Sequence, residues 1–287
     1  MKNLVREKIK KVIKQRYGTF VTANITSLAA NQLLEGRTAL ITGGTTGIGK
    51  AIAEAYLNAG ADVIITSRTE EKAKIIEGEL KKKYPSRSVL GIEMDMMDIQ
   101  SFKNKVELIL QTFNRVDILV NNAGIGVGQW GNTSVEEWDN VIKTNLRGPF
   151  FLTEIVARYM RDNKIKGNIL NICSSASLRP ANTAYRLSKW SMRAFTLGIA
   201  KTLIPYDIVV NGIAPGPTAT ALMGVSSNDR LEMPFNPNMR MATPEEIANM
   251  AVIYVSNMSR TIVGDIAYMT GGAGVLTVDD NDKYQLL

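Results

Sequence analysis

The chain is 287 residues long, 45% hydrophobic and 21% charged, the balance of a globular protein with one large core. It has no histidine and a single cysteine, Cys173, which excludes Ser-His-Asp catalysis, zinc sites built on histidines or paired cysteines, and intramolecular disulfides. The net charge is +7, and no uncharged apolar run reaches signal-peptide or membrane-spanning length, so a cytoplasmic location is expected.

Residues 1–36 form a basic extension, with Lys2, Arg6, Lys8, Lys10, Lys11, Lys14 and Arg16 against Glu7. Val5, Ile9 and Val12 recur at helical spacing, and a polar linker follows over residues 18–36. Packing of this helix on the body or on a neighbouring subunit is the preferred reading over contact with an anionic membrane surface, and no nucleic-acid partner is expected.

From Arg37 onward short apolar runs alternate with longer helical patterns. That order predicts a doubly wound α/β fold, a single Rossmann-type domain over residues 37–287 with helices on both faces of a parallel sheet. The predicted strands are residues 38–42, 62–66, 89–94, 118–121, 168–173, 208–213 and 265–269. Their nearly unbroken β-branched character suits strands covered on both faces. Helices are predicted over residues 47–58, 70–84, 99–113, 135–160, 183–203 and 244–257, the last opened by Thr243-Pro244-Glu245-Glu246. Residues 219–240 show no period and read as a long loop covering the substrate, with Met223, Leu231, Met233, Phe235 and Met239 as an apolar wall.

The first strand runs into Thr42-Gly43-Gly44-Thr45-Thr46-Gly47-Ile48-Gly49, a glycine-rich turn that opens a helix and suits a diphosphate. Thr42, Gly43, Thr45, Thr46, Gly47, Ile48 and Gly49 are therefore expected at a dinucleotide cofactor. The second strand ends in Ser67 and Arg68 where an NAD-binding chain would offer a carboxylate. Arg68 favours the 2′-phosphate of NADP(H) over NAD(H). Asp95, with Met96 beside it, is placed at the adenine, and Asn122, Ala123 and Gly124 end the fourth strand where ligands of open sheets collect. Tyr185 and Lys189 stand one helical turn apart on one face. A free tyrosine titrates at about 10, and a cation nearby favours its ionised form, so the pair is a candidate proton donor. No metal site is expected.

These segments resemble the short-chain dehydrogenase/reductase family from Gly36 to about Gly274, in the form with a Thr-Gly-x-x-x-Gly-Ile-Gly loop and a Tyr-x-x-x-Lys pair. The resemblance rests on their joint order with Asn145, Ser174 and Pro215-Gly216. It implies that Tyr185 is the general acid/base and that Lys189 binds the nicotinamide ribose and tunes the tyrosine. It further implies that Ser174 orients the substrate oxygen and that Asn145 supports a proton-relay water. Ser174 lies eleven positions before Tyr185, which leaves Ser175 as the weaker candidate. Pro215, Gly216, Thr218 and Thr220 are implied to meet the nicotinamide carboxamide. The implied activity is NADP(H)-dependent hydride transfer between the cofactor and a small-molecule carbonyl or secondary alcohol, in a homodimer or homotetramer. The alternatives are a reductase of 3-oxoacyl groups on an acidic carrier, and a non-catalytic NADP(H)-binding sensor or scaffold.

Overall fold

A computed structural model of the protein describes residues 32–126, 128–220, 231–234 and 236–275. The basic helix expected near the N-terminus, most of the linker after it, Met223 and Phe235 lie outside the described residues.

Seven parallel strands form one sheet: β1 (Thr38–Ile41), β2 (Asp62–Ser67), β3 (Val89–Glu93), β4 (Ile118–Asn121), β5 (Asn168–Ile172), β6 (Val209–Pro215) and β7 (Ile266–Met269). Their spatial order is β3-β2-β1-β4-β5-β6-β7, so the winding reverses between β1 and β4. Every residue of β1, β4, β5 and β6 is buried. That is the physical reason these strands carry no alternating polar pattern, because helices cover both faces. The helices are α1 (Gly47–Asn58), α2 (Glu70–Lys83), α3 (Phe102–Phe113), α4 (Val135–Ile142), α5 (Gly148–Asp162), α6 (Ala184–Leu203) and α7 (Pro244–Val255).

One apolar layer joins α1 and α7 to the sheet around Tyr56, Ile41, Ile65, Val120 and Ile247. The other packs Phe102, Ile109, Leu152, Val156 and Met160 against Leu40, Ile64 and Leu119. Leu34 is fully buried and its amide donates to the Ala59 carbonyl at 2.9 Å, so the core takes in a residue ahead of β1.

Beyond shifts of one or two residues at element ends, the structure departs from the sequence reading in three places. Residues 99–101 are not helical, because the chain from Asp95 makes successive turns, including Met97 N–H to the Asp95 carboxylate at 2.9 Å and Ser101 N–H to the Asp98 carbonyl at 3.2 Å. The helix predicted over residues 135–160 is interrupted by a π-turn, Lys143–Arg147, between α4 and α5. Pro149 has no N–H for the Asn145 carbonyl four residues back, so the regular ladder cannot continue there. Finally, the described part of the loop from 231 onward is a small hairpin, with Met233 N–H on the Met239 carbonyl at 2.8 Å and Met241 N–H on the Leu231 carbonyl at 2.9 Å. Arg240 anchors it to α7 through both Glu246 oxygens, at 2.8 and 2.6 Å.

Candidate active site

A cleft of about 450 Å³ opens at the carboxyl ends of the strands, over the point between β1 and β4 where the winding reverses. It is lined by the glycine turn, by Ser67 and Arg68, by Asp95 and Met96, by Asn122, Ala123 and Gly124, and by Ser174, Tyr185 and Lys189. Pro215, Gly216, Thr218 and Thr220 close its far wall. Residues from Gly43 to Thr220 thus meet in one crevice. Thr42, Gly49 and Asn145 do not line it, and each instead holds the wall from behind.

The glycine turn is shaped by backbone. Gly43 and Gly47 have φ of +63° and +53°, a region that L side chains rarely adopt. A Cβ at Gly49 would fall on the Gly43 carbonyl and the Asn122 amide, so only glycine lets α1 start this close to β4. Thr42 is fully buried, and its hydroxyl donates to the Val120 carbonyl at 3.2 Å while accepting from the amides of Asn122 and Ala123 at 3.0 and 3.1 Å. The Asn122 side-chain amide returns to the carbonyls of Thr42 and Gly43 at 2.9 and 3.1 Å. These contacts staple the turn to the end of β4. At the start of α1, Thr46 makes no side-chain cap and the first turn carries no acid. Its free N–H groups and positive helix end suit an anionic diphosphate, so the residues present fit a dinucleotide.

At the adenosine end, Arg68 is exposed on the rim, and Lys72 from the first turn of α2 stands on the same lining. Lys72 escaped the sequence reading because a lysine on a strongly polar helix resembles a solvated face. Its signal was position, four residues after Arg68. Ile125, Thr144 and Pro217 also line the cleft unannounced, and Ser175, the weaker serine candidate, lines it beside Ser174.

At the other end, the Ser174 hydroxyl accepts from the Ala176 amide at 3.1 Å, which fixes its oxygen while leaving its proton to donate. Lys189 is only 6% exposed, and its ammonium donates to the Ile172 carbonyl at 2.9 Å and stands 5.8 Å from the centre of the Tyr185 ring. Among the described residues its other two protons have no acceptor. The Tyr185 ring lies against Gly126, where a Cβ would stand 3.4 Å from its Cδ2. Cys173 is buried beside them; burial pushes its thiol pKa up, against the opposing pull of Lys189. It is a packing residue. Thr218 and Thr220 donate to the carbonyls of Gly216 and Thr218 at 3.0 and 3.3 Å, so each hydroxyl keeps lone pairs to accept from a carboxamide.

Asn145 does not aim its amide into the cleft. Its oxygen accepts from the Ile125 N–H at 2.8 Å, and its nitrogen donates to the Ile125 carbonyl at 2.8 Å and to the Ser188 hydroxyl at 3.1 Å. The Asn145 side chain braces the chain after β4.

A parallel sheet reversing beside a glycine turn, with a tyrosine and a lysine lining the same cleft, is the architecture of a dinucleotide-binding oxidoreductase class. The chain belongs to the short chain dehydrogenase family, whose sequence pattern matches residues 37–231. It is 34% identical over 245 residues to a 3-oxoacyl-acyl-carrier-protein reductase of Aquifex aeolicus, covering 83% of this chain and 98% of that one. It is 30% identical to glucose 1-dehydrogenase 2 of Bacillus subtilis, over 83% of this chain and 95% of the relative. Among solved structures, a 3-ketoacyl-(acyl-carrier-protein) reductase from Brucella melitensis complexed with NADH superposes with a TM-score of 0.76 at 29% identity, covering 84% of this chain and 100% of that one.

Proposed function

We propose that the protein transfers a hydride between NADP(H) and a carbonyl or secondary alcohol, with Tyr185 as general acid/base. The observation that carries this reading is the meeting of Tyr185, Lys189 and Ser174 at one end of the cleft with Arg68 and Lys72 at the other. When bound, the nicotinamide supplies the hydride for reduction or takes it up in oxidation. In the reducing direction Ser174 and Tyr185 hydrogen-bond the substrate oxygen, and Tyr185 gives its proton to that oxygen as negative charge develops there. The Lys189 ammonium stabilises the phenolate left behind. Thr218 and Thr220 orient the carboxamide, and Asp95 accepts from the adenine amino group. Arg68 and Lys72 together offer two positive charges to a 2′-phosphate, which supports NADP(H) over NAD(H) as the cofactor.

Acyl thioesters with a 3-oxo group are the favoured substrate class, on the strength of the likeness to the Aquifex reductase over nearly its whole length. The test is NADPH consumption with acetoacetyl-CoA beside simple ketones, an oxidised sugar and NADH controls. Turnover with none of them sinks the enzyme reading, and a preference for NADH sinks the cofactor assignment. We also propose a homodimer or homotetramer, because α5 and α6 expose Phe150, Phe151, Leu187, Trp190 and Leu197. Light scattering that returns a monomer at micromolar concentration overturns it.

A further inference from the structure

We propose that Ser188 is a positioning residue for the reaction, the keystone of a brace that sets Tyr185 at a fixed distance from the opposite wall of the cleft. The inference rests on the assignment of Tyr185 as acid/base. Ser188 is fully buried inside α6, where a serine offers no solvation and competes with the helix for its own backbone. Its hydroxyl has one proton and two lone pairs, and two partners are present. It donates to the Tyr185 carbonyl at 2.7 Å, one turn back, and accepts from the Asn145 amide nitrogen at 3.1 Å. Asn145 in turn grips both the N–H and the carbonyl of Ile125 at 2.8 Å. Two residues from Ile125, Ala123 is stapled to Thr42.

A line of hydrogen bonds, joined by the backbone from Ala123 to Ile125, therefore runs from the glycine turn through Asn145 in the π-turn to the first turn of the helix that carries Tyr185. Asn145 lies inside the π-turn, Lys143–Arg147, and from there reaches both Ile125 and Ser188. Gly124 lies within the same brace: a Cβ there would be 3.4 Å from the Asn145 oxygen and 3.7 Å from the Lys189 nitrogen. One side of the cleft is thus tied to the other by Thr42, Asn145 and Ser188, none of which lines it.

Removing the Ser188 hydroxyl strips one Asn145 proton of its acceptor in a site that is 2% exposed, and frees the Tyr185 turn to shift against the Gly124–Gly126 wall. A misplacement of the order of 1 Å costs about a hundredfold in rate. The expectation for Ser188→Ala is a fall in kcat of about tenfold to a hundredfold, with the NADPH Kd and the substrate KM within about twofold of wild type. Ser188→Thr keeps the hydroxyl and recovers most of the rate. Hydrogen exchange supplies a reading independent of turnover. The Ile125 amide, which donates to Asn145, exchanges faster in Ser188→Ala, while the amides of β5 and β6 keep their protection.

Wild-type kcat in Ser188→Ala overturns the proposal. So does a loss of rate, cofactor affinity and sheet protection in proportion, which marks a merely structural serine. If Ser188→Thr does not fold, a cycle with Asn145→Ala decides: in that background the added change at Ser188 has little further effect on kcat, and full additivity refutes the brace. A wild-type enzyme without turnover on any substrate instead fails the functional assignment, and the brace is then judged on Ile125 exchange alone, where unchanged protection refutes it.

Discussion

Thr42→Val replaces a hydroxyl by a methyl of the same size, so it opens no cavity and isolates the polar role of the residue. The wild-type hydroxyl makes three hydrogen bonds, to the Val120 carbonyl and from the Asn122 and Ala123 amides. The Val120 carbonyl keeps the Thr42 backbone N–H at 3.0 Å after the change, so it is not orphaned. The two amides lose their partner. A buried donor left without one costs about 1–3 kcal/mol, and these two are half-buried, which puts the total at about 2–4 kcal/mol. Thr42→Ser keeps the oxygen and loses one methyl, for about 1 kcal/mol. Urea unfolding of the three proteins at equal slope measures the differences. The order expected is wild type, then Ser, then Val, with NADPH binding weakened most in Val because the glycine turn comes loose from β4. A valine variant within about 0.5 kcal/mol of wild type, the scatter of a neutral surface change, or a serine variant as damaged as the valine one, refutes the staple.

Tyr185→Phe should lower turnover by about a hundredfold to ten-thousandfold, the usual worth of acid-base action, while NADPH titrated by fluorescence binds as before; near-normal turnover removes Tyr185 from the chemistry. Replacing Arg68 and Lys72 together by Glu should raise the NADPH Kd at least tenfold and leave NADH binding within a few-fold, and equal losses for both cofactors would place those charges elsewhere. The Arg240 guanidinium and the Thr243 N–H hold the Glu246 carboxyl down at about 2. A depressed folded value means the anchor stabilises fully above the ordinary carboxylate range and is lost as pH falls from about 4.5 towards 2. The gap in urea midpoint between wild type and Arg240→Ala should therefore be constant above pH 6 and shrink as the pH is lowered through that window; a gap independent of pH contradicts the pairing. Gly271→Ala should detach the hairpin at Asn238, since Gly271 has φ of +62° and a Cβ there would strike the Asn238 side chain; unchanged protease cleavage near residues 231–241 would count against that contact.

The sheet was legible in the sequence because fully covered parallel strands leave an uninterrupted β-branched record, as in Val63-Ile64-Ile65 and Val209-Val210. The cleft was legible through motifs whose order alone brings them together at the strand ends. What escaped depended on distance in the chain. Thr42 was grouped with the cofactor by its place in the glycine motif, yet its hydroxyl turns inward to partners eighty residues away. The π-turn was hidden because helical periodicity persists across it, although Pro149 stood in plain view. Ser188 carried no pattern of its own, for a buried serine in a helix is defined by what faces it, and Asn145 is forty-three residues distant.

The lone thiol at the floor of the cleft gives the protein a built-in reporter. Cys173 is 2% exposed and its thiolate is disfavoured by burial, so a thiol-modifying reagent meets it only when the structure opens. With no other sulfhydryl in the chain, the labelling rate is a direct clock of that opening. Because Lys189 and the end of β5 pack around it, a ligand that fills the cleft will slow the clock even when it is never turned over.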